Sequence, residues 1–545
     1  MRRFPPGIYR RTRKDLAMVR RRTMSLAIVG VGAAMVITGC SSGGSTTRGG
    51  SSASGATSSN GTFQVASLVA PPTLDLTSNP AAAIDEVFDY NVYQHLVQLD
   101  PKGDVVPVLA SKYSVSKDGK TYTFDVRKGV KFANGDPMTP QDVVFSLKRV
   151  IAPKSNYPYK DLFSDITGVR ASGNQVTVTL SESNNQFLYD MAAYSNGVIL
   201  DPKTVGQIAK KPNGTGPYEF GAFVANYSVT LHRNNSYWDG KPGVATVVFR
   251  YFSNTNAAGS ALKSGQVQAI DNLAAGNPSE ASQFKGNPAY KIISGPTNGK
   301  IQMSINNTRG PLAKVKVRQA IIYATNRRAI LETVGAGYGT VIGTDTVPPD
   351  PWYSTSYANT YPYNPGKAKQ LLAQAGYPNG FSVTLTLPPY GYATTAGPLL
   401  VAELKAVGIN ATIKNVQWPL WLSQVFTNTN YDLTIINHVE ARDLANYTNP
   451  TYYWKYAKTS QVNSMLAKAN SETSSSAELA GYQKILTTIT SDAVNDWLYN
   501  PDQITVANKN VVGLPGSGIT ESFDLSHVSL GGQLPANLAA QGYAK

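Results

Sequence analysis

A basic run, Arg20-Arg21-Arg22, an apolar stretch from Met24 to Gly39, a single cysteine, Cys40, and a tract made almost wholly of Gly, Ser, Thr and Ala over 41–62 all precede the first segment fit for a core. That order confines the fold to the residues from Phe63 onward. The apolar stretch, about 16 residues and rich in Gly and Ala, is too short for a comfortable membrane span and ends in small residues, the pattern of a cleaved secretory signal. Cys40 is the only cysteine, so no internal disulfide can form and the fold must rest on packing. A chain of 545 residues can do this in two or three lobes. No later run reaches the roughly 18 apolar residues that a spanning helix needs.

Ile37-Thr38-Gly39-Cys40 resembles a lipobox. Cleavage before Cys40 would leave a diacylglyceryl-modified cysteine as the first mature residue, anchoring the protein to the outer face of the cell membrane without embedding it. Residues 1–39 are then the signal, and 40–62 are the lipidated cysteine and a flexible tether spanning roughly 25 Å. Arg21-Arg22-Thr23-Met24 leaves twin-arginine and general export both open, and Met1 and Met18 both remain as starts. Nine basic residues and one acid, Asp15, lie before Cys40, so the net charge of +15 falls to +7 for the remainder. Such a mild excess needs no nucleic acid. His95, His232, His438 and His527 are scattered without ligand spacing, and neither a metal site nor a cofactor is expected.

Alternation of Tyr122, Phe124 and Val126 with Thr121, Thr123 and Asp125 reads as one arm of a hairpin over 105–126, turned at Asp118-Gly119. Thr139-Pro140-Gln141-Asp142 opens a helix whose apolar stripe is Val143, Val144, Leu147 and Val150. Farther on strands and helices alternate in α/β fashion. A helix runs from Asn364-Pro365 to Ala375, a strand from Phe381 to Leu387, a helix from Leu399 to Val407 and a strand through Ile409, Ala411 and Ile413. Tyr431 to Ile436 reads as a buried central strand, followed by helices over 460–470 and 476–492. The glycines of Gly214-Thr215-Gly216-Pro217-Tyr218 make a tight turn, since no Lys-Ser/Thr follows to hold a nucleotide.

Val108 to Val150, VLASKYSVSKDGKTYTFDVRKGVKFANGDPMTPQDVVFSLKRV, resembles the signature region of the family 5 extracytoplasmic solute-binding proteins, the peptide, nickel and oligosaccharide receptors of ABC importers. Gly214 to Tyr218, Leu231 to Pro242 (LHRNNSYWDGKP), Leu262 to Ile270 (LKSGQVQAI), Val317 to Ile330 (VRQAIIYATNRRAI), Asn364 to Phe381 and Tyr431 to Tyr456 resemble further family blocks, in family order. The resemblance implies an α/β fold of the two-lobed periplasmic-binding-protein type. Residues 63–106, 207–299 and 497–545 would form lobe 1, 107–206 a subdomain inserted in it, and 300–496 lobe 2. A two-strand hinge would join the lobes, which close on the ligand.

The resemblance also directs attention to 437–447, the segment that leaves the predicted central strand at the end where α/β lobes meet ligands. Peptide-binding relatives carry there an aspartate that pairs with a terminal ammonium. This chain has Ala441 instead, with Glu440 and Asp443 as substitutes, Arg442 able to fork onto a ligand carboxylate, and Asn437 and His438 beside them. A solvated loop with a local Arg–Asp pair is the plain alternative. Among the aromatic residues of this half, Trp418, Tyr392 and Tyr447 are expected in the cleft. The implied partners are a small-molecule or peptide ligand and the permease and ATPase subunits of the importer, with the protein itself a monomer. An oligosaccharide receptor remains open. A secreted hydrolase is the opposing class, although the chain has no Gly-x-Ser-x-Gly elbow, no His-Glu-x-x-His and no cysteine nucleophile, and no enzyme is expected.

Overall fold

One 14-residue strand, Asn495–Asn508, organises the molecule. Trp497, Leu498 and Tyr499 fill its first half and Ile504, Thr505 and Val506 its second, residue types that suit a pleated, buried surface. Pro501 between them has no N–H for a ladder, and there the strand changes partners. Strand Lys300–Ile305 pairs antiparallel with 495–499, whereas Tyr290–Pro296 pairs antiparallel with Asp502 to Asn508. The chain therefore crosses between two lobes at 297–299 and again near 500–501. Asn500 ties these crossings together: its Nδ2 donates to the Thr297 carbonyl at 2.8 Å and the Gly299 carbonyl at 2.6 Å. Thr297 Oγ1 donates to the Pro501 carbonyl at 2.8 Å. A Cβ on Gly299 would stand 2.8 Å from Asn437 Oδ1 and 3.0 Å from Thr297 Oγ1, so a larger residue here would have to displace those side chains.

The structure is a computed structural model that describes residues 61–545. Cys40, the signal and residues 41–60 of the tether lie outside the described residues, and the strand Thr62–Ser67 begins at the tether's last residue. Among those described, no helix is long and apolar enough to cross a membrane.

In the first lobe, Thr62–Ser67 pairs in parallel with Thr246–Tyr251 on one side and Ala269–Ile270 on the other. Ser228–Arg233 and Tyr218–Val224 extend the sheet outward, and Ala269–Ile270 joins it to the long strand. Phe63, Val65, Phe88, Val247 and Phe249, each essentially unexposed, lie in its core. In the second lobe the order is Ile409–Asn415, Phe381–Leu387, Leu433–His438, Lys300–Ile305 and then the long strand. The central strand Leu433–His438 is buried at five of six positions, as its apolar character predicts.

A separate four-stranded sheet, Ala110–Val115, Thr121–Val126, Gln175–Leu180 and Ile166–Ser172 in that spatial order, has its own core under the helix Pro140–Val150. That helix starts as its sequence predicts, with the Asp142 carboxylate accepting from the Thr139 N–H at 2.7 Å and from Oγ1 at 2.8 Å.

Two elements differ from expectation. Of the hairpin predicted over 105–126, Ala110–Val115 pairs with Thr121–Val126, whereas Val105–Pro107 pairs with Val97–Leu99. The helix predicted over 399–407 spans Gly391–Ala406, with Pro398 inside it. Its first turns lay Ala393, Ala396 and Gly397 on the sheet, and a Cβ on Gly397 would meet Leu387 Cδ1 at 2.5 Å. Close packing of small residues overrides the proline as a start signal.

Candidate functional site

A cavity of about 660 Å³ lies over the two crossings. Its floor is Thr297, Asn298 and Gly299 from one crossing and Tyr499, Pro501 and Asp502 from the other. Tyr338, Tyr390, Tyr392, Asn437 and Val439 form the second-lobe wall, and Glu86, Asp271, Asn272 and Glu521 face them from the first lobe. Tyr390 and Tyr392 stack with ring centroids 5.6 Å apart and planes 16° from parallel, presenting a flat apolar surface with polar tips.

The segment 437–447 follows the central strand, and its acids are already engaged. Lys300, 2% exposed, puts its ammonium 2.8 Å from Asp443 Oδ1, 2.8 Å from the Glu440 carbonyl and 3.7 Å from Asp345 Oδ1. Burial alone would lower the Lys300 pKa; Asp443 and Asp345 outweigh it and hold the ammonium above the ordinary lysine range. Burial and the neighbouring Asp443 push Asp345 up to about 7. His438 shares a hydrogen bond of 2.7 Å with Tyr453 Oη through Nε2, and Nδ1 lies 3.5 Å from Glu440 Oε2. The His438 hydrogen bond holds the Glu440 carboxyl down to about 2.

His438, Glu440 and Asp443 bring donor atoms within 4.8 Å of one another, a spacing a metal could use. The Lys300 ammonium already supplies the positive charge that Asp443 needs.

The expected site residues thus divide. Asn437 and Tyr392 line the cavity, and Glu440 stands half-exposed beside Val439 at its rim. Asp443 and His438 belong to the buried Lys300 network, which corrects the expectation of Asp443 as a free acceptor for a ligand amine.

Arg442 is turned away from the cavity. Its Cζ lies 3.4 Å from the Tyr189 ring centroid and 5.1 Å from that of Trp352, Nη1 donates to Gln186 Oε1 at 2.8 Å, and Nε is 3.6 Å from Asp350 Oδ1. The residue sits at φ +51°, a left-handed conformation that reverses the loop and aims the guanidinium at the inserted sheet's flanking helix. Tyr447 is wholly buried and stacks on Trp454 at 4.7 Å, and Trp418 stacks on Trp421 at 4.9 Å from a short helix; both belong to the aromatic core of the second lobe. Their place in the aromatic run of this lobe, and not proximity to a strand end, decided their position.

Residues 104–464 match the family model of bacterial extracellular solute-binding proteins, family 5 Middle. The chain belongs to this family. Heme-binding protein A of Haemophilus influenzae is 29% identical over 441 residues, 73% of this chain and 77% of the relative. Glutathione-binding protein GsiB of Escherichia coli K12 is 32% identical over 330 residues, 59% of this chain and 63% of the relative. Among solved structures, the binding protein AgaA from Agrobacterium tumefaciens R10 in complex with agropinic acid superimposes with a TM-score of 0.71 at 25% identity, covering 87% of this chain and 99% of that one.

This family 5 solute-binding protein is thus a two-lobed α/β receptor of the periplasmic-binding-protein type, in a family of extracytoplasmic receptors. Sequence reasoning missed the acids of its first-lobe wall. One signal was available: Asp85 falls between Ile84 and Val87 in the helix Ala82–Phe88, an acid on a face that is otherwise apolar.

Proposed function

We propose that the protein is the lipid-anchored receptor of an ABC importer, enclosing a small solute, a di- or oligopeptide or related amino compound, between its lobes and handing it to the permease and ATPase subunits. The observation that carries this reading is the cavity of about 660 Å³ walled by two lobes that only two strands connect. Rotation about so narrow a crossing opens and closes the cavity, and a solute that touches both walls favours the closed form. In this reading 63–106, 207–299 and 497–545 are lobe 1, 107–206 its inserted subdomain and 300–496 lobe 2. Cys40 carries the anchor, and the receptor works as a monomer outside the membrane without covalent chemistry. Glutathione, the ligand in one relative's name, is itself an amino compound.

An oligosaccharide is the second reading, favoured by the stacked Tyr390 and Tyr392 platform. Native mass spectrometry of the purified protein for retained solute, with small-angle scattering before and after solute addition, tests both. A peptide or amine mass with compaction is expected; a saccharide mass turns the assignment to the second reading. Absence of compaction with every member of a broad solute library, or turnover of an oligosaccharide, overturns the receptor. Cys40→Ser should release the protein from the membrane fraction.

A further inference from the structure

The two walls of the cleft treat their carboxylates in opposite ways. On the second-lobe side Asp443 and Asp345 meet a lysine of the chain itself. On the first-lobe side Glu86, Asp271 and Glu521 line the cavity, Asp502 adds a fourth acid at the floor, and no Lys, Arg or His is among the lining residues. These acids are paired with one another. Glu86 faces Asp271 at hydrogen-bonding range, and Asp85, from the helix Ala82–Phe88, faces Glu521 in the same way.

Asp85 and Asp271 are each 4% exposed, and outside the carboxyl pairs no donor reaches Asp85 Oδ1 or Asp271 Oδ2. The donors that do reach the cluster are few: Ser67 Oγ to Glu86 Oε1 at 3.0 Å and the Asn272 N–H to Asp271 Oδ1. The other charged groups facing it are Asp89, which shares a 2.7 Å contact with His95, and Glu440 across the cleft. Burial pushes Asp85, Glu86 and Asp271 above the ordinary range, and like charge adds to it for Asp85 and Glu86.

Buried carboxyls set against other carboxyls, as Asp85 and Asp271 are, are costly unless a proton or a cation joins the pair. We infer that the first-lobe wall is the recognition site for an organic cation, whose ammonium or guanidinium group seats at Glu86, Asp271 and Glu521 while its remainder lies against Tyr390 and Tyr392. An ammonium brings three donors and a guanidinium five, matching carboxyl acceptors that few donors of the wall reach. The stacked tyrosines opposite offer ring faces that attract the same charge. A bare inorganic ion would leave nearly all of the 660 Å³ unfilled. The acidity is local, for the chain carries a net positive charge. The inference rests on the receptor reading above and deepens it: the amine is met by the first lobe, not by 437–447.

A thermal-shift library of amines, guanidines, neutral sugars and acidic solutes, followed by calorimetric titration of the hits, tests it. Matched pairs are built in, such as Arg-Ala against citrullinyl-Ala and cadaverine against its diacetyl derivative. Hits confined to cationic members are expected, with affinity falling at least tenfold in both Asp271→Asn and Glu521→Gln and unchanged in the surface control Asp136→Asn. Affinity should also fall as pH is lowered from 8 to 5, because protonated carboxyls cannot pair with a cation. The ligand-free variants should melt no lower than the parent protein, since each relieves a carboxyl pair; a lower melting temperature would mark the pairs as structural and count against the site. Hits that are neutral or anionic and indifferent to both variants overturn the inference and leave the receptor standing, whereas a library with no hit or compaction overturns both.

Discussion

Lys300 makes the residue-scale argument concrete. It lies in a strand some 140 positions before Asp443, yet its ammonium is buried against Asp443, Asp345 and a backbone carbonyl. Removing the charge by Lys300→Met strands two buried carboxylates, and the expected loss is about 3–5 kcal/mol in urea unfolding, with Asp443→Asn in the same chain recovering part of it. The segment 437–447 was legible as the place where the second lobe meets the cleft, because it leaves a central strand. Which of its side chains stay available was not legible, because the cation that claims Asp443 comes from a distant strand. Arg442 is the same case: Tyr189, Trp352 and Gln186 reach it only after folding.

At the scale of elements, local signals succeeded where the segment carries its own cap and stripe. The helix Pro140–Val150 is one, and Asp142→Ala should cost about 1 kcal/mol in thermal or urea unfolding through loss of the bonds from Thr139. The strand Asn495–Asn508 is the contrary case. It carries no hairpin turn, and its two halves belong to different sheets, so its role emerges only from pairing with 290–296 and 300–305. Asn500 holds these crossings side by side. Asn500→Ala leaves the Thr297 and Gly299 carbonyls without that donor and should lower stability by about 1–3 kcal/mol. Faster amide exchange at 297–301 than in the sheet interiors would accompany it.

Across the whole molecule, the lobes meet away from the crossings as well. Asn185 of the inserted subdomain donates to the Ala469 carbonyl at 2.8 Å and accepts from Tyr482 Oη at 3.0 Å, and Arg442 reaches Gln186 and Tyr189 beside it. These contacts link the residues around 185–189 to the second lobe apart from the two crossings. Arg442→Ala should raise the radius of gyration of the ligand-free protein in small-angle scattering and weaken solute binding several-fold, since closure then lacks one of its fastenings.

The buried acids also set a pH dependence. Asp190, Asp345 and Glu403 are each pushed up to about 7, chiefly by burial, so between roughly pH 4 and 7 the folded chain binds protons that the unfolded chain has lost. Stability therefore falls as pH rises through that window, and the ligand-free protein should melt at a higher temperature at pH 5.5 than at pH 8. Glu440, held down to about 2, works in the opposite direction only below about pH 4.

By itself the sequence determined the family blocks, the α/β class, the capped helices and the central strand Leu433–His438, because these depend on periodicity and caps within short windows. Only the tertiary structure decided which charges are satisfied. Lys300 neutralises the carboxylates of the segment 437–447 from a distant strand, and no Lys, Arg or His is among the cavity-lining residues beside Glu86, Asp271 and Glu521. Those three acids lie about 185 and 250 residues apart along the chain and meet only in the folded first lobe, and electrostatics at a few ångströms depends on distance in space, not along the sequence.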